Sequence, residues 1–384
     1  MRFLSSLGAG MLTCMFFATP SHAQTSSSWW ERLSIGMDFR QRLEELHQFE
    51  NSLPNVSQNG VTQRRLKIRA RLTLNSQVND DFQIGVRLGT GNMDDPLSSN
   101  QTLSELLTRK PISLDRAFMT YNPKAAPALT IGAGKFGLPV TRTEMSWDID
   151  VNWEGLYQQV HGTAGPMSYR FVTSQVSIHE EKQRDDTLMF ATYGDVSFKF
   201  DSGHSVQFVA ADYLFSGIDS VAIFVDTEGI GRNTNLIQRD NTGKIIGFQS
   251  DFNLIDLIAK ATLNTGRRNY PLQLTANWIT NTRAATEEKN GFWFTATYGD
   301  ADKIKTYQLE YTYAHIEQEA VVSTFTYSYS EGTNVRLNRA ALRYRVHPRL
   351  RLDLITIFTK KLITAPNDKN HLLLRSQLDA SFSF

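Results

Sequence analysis

Cysteine is almost absent: Cys14 is the only one in 384 residues. That excludes a disulfide framework and Cys-rich zinc sites. Neither sign of charge is in excess, with 40 Lys and Arg against 39 Asp and Glu. Polyanion binding through net charge is therefore excluded, as is a chain kept disordered by self-repulsion. No run of about 18 apolar residues occurs, so a bundle of membrane-spanning helices is ruled out. The eight histidines, at 22, 47, 161, 179, 204, 315, 347 and 371, never fall into H-x3-H or H-E-x-x-H spacing. No metal site is legible and no cofactor is expected. The G-x-S-x-G nucleophile elbow is also missing, and no catalytic residue is nominated.

The N-terminus indicates export. Residues 1–23 read as a secretory signal peptide: Arg2 is the positive start, and residues 7–18 form a short apolar stretch with Phe16 and Phe17. Pro20-Ser21-His22-Ala23 supplies small residues at a cleavage point before Gln24. Cys14 lies inside this segment, so the mature chain would carry no thiol, which suits an oxidising compartment. Residues 24–384 show no linker, low-complexity tract or repeat beyond the hairpin, and read as one domain.

Helical periodicity is scarce and alternation of period two recurs instead. Leu66, Ile68, Ala70, Leu72, Leu74 and Val78 face one way, and Arg65, Lys67, Arg69, Arg71, Thr73 and Asn75 the other. A strand separates these sets, whereas a helix would mix them. Phe82-Ile84-Val86-Leu88, Leu272-Leu274-Ala276-Trp278 and Phe292-Phe294-Ala296-Tyr298 repeat the pattern.

Seven short turns punctuate these runs, at 79–81, 123–127, 162–166, 201–203, 266–271, 299–303 and 347–349. Between them lie eight long polar segments: 47–63, 91–111, 138–153, 178–186, 216–251, 281–290, 317–333 and 361–370. Short and long connections alternate, the asymmetry of outer-membrane barrels with short periplasmic turns and long external loops. A soluble sandwich has no reason to alternate so regularly. The expected fold is all-β: a transmembrane, antiparallel, up-and-down barrel of about sixteen strands. Residues 321–329 would make a seventeenth strand and put the C-terminus outside, so they are assigned to an external loop or to strand extensions. A barrel of this size encloses a water-filled channel rather than a packed core.

From 372 onward, Leu372, Leu374, Leu378, Ala380, Phe382 and Phe384 alternate with polar positions. This resembles bacterial outer-membrane proteins, which end in an amphipathic strand with a terminal Phe read by the barrel assembly machinery. Leu114-Asp115-Arg116-Ala117, Gly134-Lys135-Phe136 with Pro139, and Trp147-Asp148-Ile149-Asp150 with Trp153-Glu154-Gly155 resemble the putative porin family of Gram-negative bacteria. Segments 270–282, 291–299 and 307–342 resemble that family's second half. The resemblance implies a channel in the cell outer membrane, in contact with lipid, assembled as a homotrimer and passing small hydrophilic solutes.

A pore does no bond chemistry; its lining charges select what passes. The candidate basic wall is Arg40, Arg42, Arg65, Lys67, Arg69, Arg71 and Arg87, joined by Arg339, Arg343 and Arg345 near the other end. Arg351 and Arg375 lie on the strands between. Barrel closure pairs the last strand with the first and makes these one wall. Glu144, Asp148, Asp150 and Glu154 cluster in and just after the third long loop, which by resemblance to general porins folds inward and narrows the pore. A basic wall facing acids sets up a transverse field. The expected function is passive diffusion with modest anion preference. The alternatives are a channel specific for phosphate, carboxylate or acidic saccharide, and a barrel hydrolase with a Ser-His-Asp site near His161 or His179. No nucleic acid partner is expected.

Gly132-Ala133-Gly134-Lys135-Phe136-Gly137 matches G-x-G-x-x-G, but Pro139 and the polar residues after it allow no helix. The dinucleotide reading needs that helix. The glycines are read as permitting tight packing near a strand end and bend.

Overall fold

Alternating side chains leave each strand with one apolar and one polar face, and neighbouring strands hide their backbone groups by pairing. In the computed structural model, which describes residues 29–48, 61–103, 106–181, 185–228, 234–364 and 372–384, this pairing closes on itself. The expected signal peptide lies outside the described residues. Sixteen barrel strands follow in order: β1 (Leu33–Gln48), β2 (Val61–Gln77), β3 (Phe82–Thr90), β4 (Ile112–Tyr121), β5 (Leu129–Gly137), β6 (Asn152–Ala164), β7 (Met167–His179), β8 (Thr187–Lys199), β9 (Ser205–Ser216), β10 (Asn253–Leu263), β11 (Leu272–Asn281), β12 (Asn290–Gly299), β13 (Tyr307–Ile316), β14 (Val335–His347), β15 (Leu350–Lys361) and β16 (Leu372–Ser383). Each pairs antiparallel with its sequence neighbours, and β1 pairs with β16 to close the barrel. At the seam the Phe384 amide donates to the Met37 carbonyl at 3.0 Å.

The seven short turns and eight long connections fall where the sequence places them. Residues 321–329 lie in the seventh long loop as an irregular segment with a 3-10 turn at Ser323–Phe325. The fifth long loop carries a helix, α1 (Asp219–Glu228), and a hairpin of Ile237–Arg239 with Ile245–Phe248.

Outward positions form an apolar belt around the wall, including Ile35, Leu72, Ile84, Phe171, Phe190, Phe208, Leu257, Trp278, Leu354 and Leu378, all exposed. An exposed apolar surface this extensive fits lipid, not water. Trp293 differs from the outward aromatics: it points inward and is buried.

The interior is not uniformly wet. Around β6–β14, toward the long-loop end, inward side chains are apolar, among them Val172, Met189, Tyr213, Leu254, Ile279 and Leu337. Onto them fold Met145 and Trp147 of the third long loop, Val221 and Phe248 of the fifth, and Phe325 and Tyr327 of the seventh. Trp147 lies edge-on to Trp153 at 5.3 Å and stacks on Phe325 at 5.3 Å. This corrects the expectation of a channel without a packed core. Long loops carrying that many apolar residues gain more by burial than by hydration.

The G-x-G-x-x-G segment is part of β5. Gly134 faces Gly155 of β6 in register. Both have positive φ, 109° and 149°, and an added Cβ would sit 2.3 Å from the Ala117 carbonyl oxygen and 2.0 Å from that of Gln175. The glycines serve close backbone approach.

Candidate functional site: the charged lumen

The apolar filling occupies one side of the interior. The rest of the wall, β14 through β16 and on through β1 to β3, turns charged side chains inward. Cross-strand register places Arg345, Arg351, Ser381, Arg40 and Arg69 in one row over five strands. A second row holds Arg343, Asp353, Asp379, Arg42 and Lys67. Closure thus joins bases from both ends of the chain, with acids interspersed.

The acids are shared. Glu44 bonds Arg65 at 2.6 Å and Lys67 at 3.0 Å. Asp38 holds Arg69 at 3.0 Å and Arg71 at 2.6 Å. Asp379 takes a bidentate pair of 2.6 Å bonds from Arg42 and lies 3.8 Å from Arg40, which also donates to Asn100 at 2.6 Å. Glu310 holds Arg339 at 3.2 Å and Arg343 at 2.8 Å. Arg87 pairs with Asp115, and Arg345 donates to the Ala301 carbonyl in a short turn. Asp38, Glu44, Asp379 and Glu310 each serve two bases, whereas Arg351 pairs with Asp353 and Arg375 with Glu331 one to one, so bases outnumber acids along the arc. Its side chains are partly buried, so they are screened less than surface ions.

The third long loop spans the lumen between two anchors on this arc. Asp150 bonds Arg71 at 3.1 Å, and Glu144 bonds Arg339 at 2.6 Å. Asp148 forms no ion pair among the described residues; its carboxylate accepts from the amides of Asp150 and Ser328, at 2.9 and 2.7 Å, tying the third loop to the seventh. Burial first, then the charges of Glu144 and Asp150, push the Asp148 carboxyl above the ordinary range. Asp150 is shifted down: burial opposes it, but Arg69, Arg71 and Arg40 outweigh burial. Glu154 stands apart in β6 on Lys135. The sequence reading nominated the bases and missed their acids. Asp38, Arg40, Arg42 and Glu44 share one parity on β1, as do Arg375, Gln377 and Asp379 on β16, and that was the available signal.

Tyr329 of the seventh loop was also missed. It lies against Arg42, Lys67 and Arg375, whose charges stand 5.3, 5.9 and 4.5 Å from its ring centre. Arg375 also pairs with Glu331 at 3.0 Å. Arg339 sits over Tyr327 at 4.9 Å. The seventh loop is thus held to the arc by cation–π contacts.

Among the described residues no group of three or more His, Cys, Asp or Glu side chains could hold a metal ion. The barrel is similar to a solved high-pH structure of OprB from Pseudomonas putida, at 12% identity and a TM-score of 0.59, over 92% of this chain and 94% of that one. The low-pH structure of the same protein gives 11% identity and 0.52, over 92% and 93%. OmpT of Vibrio cholerae lacking its loop L8, an outer membrane protein, gives 10% and 0.50, over 92% and 100%. These likenesses concern the fold alone. No curated protein matches in sequence. The family described as putative porin matches residues 18–224, more than half of the chain. The chain belongs to the putative porin family, and its closed sixteen-stranded barrel is an outer-membrane channel.

Proposed function

We propose that the channel passes small hydrophilic solutes by passive diffusion, with a modest preference for anions. The observation that carries this is the sharing of each of Asp38, Glu44 and Asp379 between two bases. A lumen wall with residual positive charge concentrates anions and repels cations. The preference is modest because most of the charge is locally paired. In this reading Arg40, Arg42, Arg65, Lys67, Arg69, Arg71 and Arg87 form the selective arc, and the loop acids Glu144 and Asp150 hold the constriction against it. Residues 1–23 direct export and are removed, leaving one barrel domain. The barrel assembly machinery reads the strand ending at Phe384, and the barrel sits in the outer membrane as a homotrimer. The family membership and the seam bond of Phe384 support these assignments.

The test is single-channel recording of refolded protein in a planar bilayer under a salt gradient. The parent is expected to show anion-selective steps. Arg69→Gln with Arg71→Gln is expected to move the reversal potential toward cations, because Asp38 then loses both partners. A potential that does not move overturns the basic arc. Absence of any step from a folded barrel overturns the channel.

A further inference from the structure

Beside the basic arc, and meeting it at Arg339, one row of inward side chains differs from the rest of the wall. Register runs from Lys260 on β10 to Thr275 on β11, Thr295 on β12, Thr312 on β13 and Arg339 on β14. Five consecutive strands thus give a cation, three hydroxyls and a cation. The third long loop flanks this row with Arg142, Thr143 and Glu144, leaving a cavity of about 260 Å³ that is open to the lumen. At roughly 30 Å³ per water, that holds eight or nine waters, or one small solute.

The partners within the row decide what it can bind. Arg339 is committed to Glu144 and Glu310. Arg142 donates to the carbonyls of Trp147 and Asp148, at 3.2 and 3.3 Å, and forms no ion pair among the described residues; Glu144, the first of the acids whose charge it feels, is itself bonded to Arg339. Lys260 forms no ion pair among the described residues, and the charges it feels are those of Arg142, Asp195 and Arg170. Thr295 and Thr312 bond each other at 3.0 Å, and the Trp293 indole donates to Thr295 at 3.0 Å. Thr275 makes no hydrogen bond among the described residues. The Lys260 end therefore offers two cations outside any ion pair and a hydroxyl without a hydrogen bond among the described residues, and the row continues as hydroxyls away from it.

From this we infer that the cavity is a solute site for a small polyhydroxylated carboxylate. The carboxylate lies between Arg142 and Lys260, and the hydroxyls of the solute run along Thr275 and Thr295. This deepens the anion-channel reading by naming a solute class, and rests on that reading for the solute's passage. Charge-assisted bonds to the carboxylate supply affinity. The hydroxyl row supplies discrimination against a simple carboxylate, which would leave those groups unmatched.

Calorimetric titration of the folded barrel in detergent tests the site without requiring conduction. Gluconate is the probe, with acetate and glucose as comparisons. Gluconate is expected to bind saturably, and acetate and glucose about tenfold more weakly or worse. Lys260→Gln should weaken gluconate about tenfold and Thr275→Val about threefold, while Lys260→Arg keeps the charge and stays within about threefold of the parent. Heat-modifiable gel migration verifies that each variant is folded. Acetate binding as tightly as gluconate overturns the hydroxyl row, and gluconate binding indifferent to Lys260→Gln overturns the site. Either result leaves the anion selectivity of the channel to be decided by its reversal potential alone.

Discussion

Asp148 does more for the lumen than its charge suggests, because its two backbone bonds join the third loop to the seventh. Its carboxyl is pushed up to about 8, by burial first and then by Glu144 and Asp150. The sign of the consequence follows. An unfolded chain gives up this proton near its ordinary pKa of about 4, and the folded one holds it to a higher pH. The group's contribution is therefore most favourable below about 4 and is lost progressively as pH rises toward 8. The loop junction is expected to loosen as pH rises from about 4 to 8 and to change no further above that, read as rising open-channel noise. Asp148→Asn should flatten that profile. A parent whose noise is flat over this range would argue against the assignment.

The third loop is the element that narrows the pore, and Trp147 is its anchor. Trp147 is 1% exposed and packs on Trp153, Tyr213 and Phe325. Trp147→Ala should remove about 3–5 kcal/mol of packing. The strands do not depend on it, so the barrel should persist, the loop should undock, and unit conductance should rise. Unchanged conductance in a folded variant would mean that the loop is held by Asp150 and Glu144 alone. The loop's boundaries were legible, as were all the turns, because period-two alternation stops sharply at polar runs. Its packing was less so. Leu188-Met189-Phe190-Ala191 and Tyr213-Leu214-Phe215 are apolar on both faces, which in a membrane strand means lipid on one side and protein on the other. Alternation alone cannot say which loop covers an inward apolar face, since the covering residues lie far away in sequence. The charged arc was half legible. Strand parity put the bases on one face, but their sharing of acids depends on cross-strand register: Asp38 and Glu44 reach bases on β2, and Asp379 reaches Arg40 and Arg42 across a seam that joins residue 38 to residue 383.

Seen whole, the molecule is a barrel whose outside is uniform and whose inside is not. The uniform outside makes a simple prediction. Leu257, in the middle of β10, is 42% exposed on the apolar belt. Leu257→Arg should cost about 2–4 kcal/mol if it sits near the bilayer midplane. Urea unfolding from lipid vesicles reads that loss directly, and no loss would place this face outside the hydrocarbon.

The non-uniform inside has a mechanical consequence. Packed protein is nearly incompressible. The side filled by three loops is therefore a stiff strut, and the charged arc is cross-tied by buried ion pairs and by the third and seventh loops docked on it. Both walls resist bending, so the width of this pore is set by the placement of loop side chains and not by the shape of the cylinder.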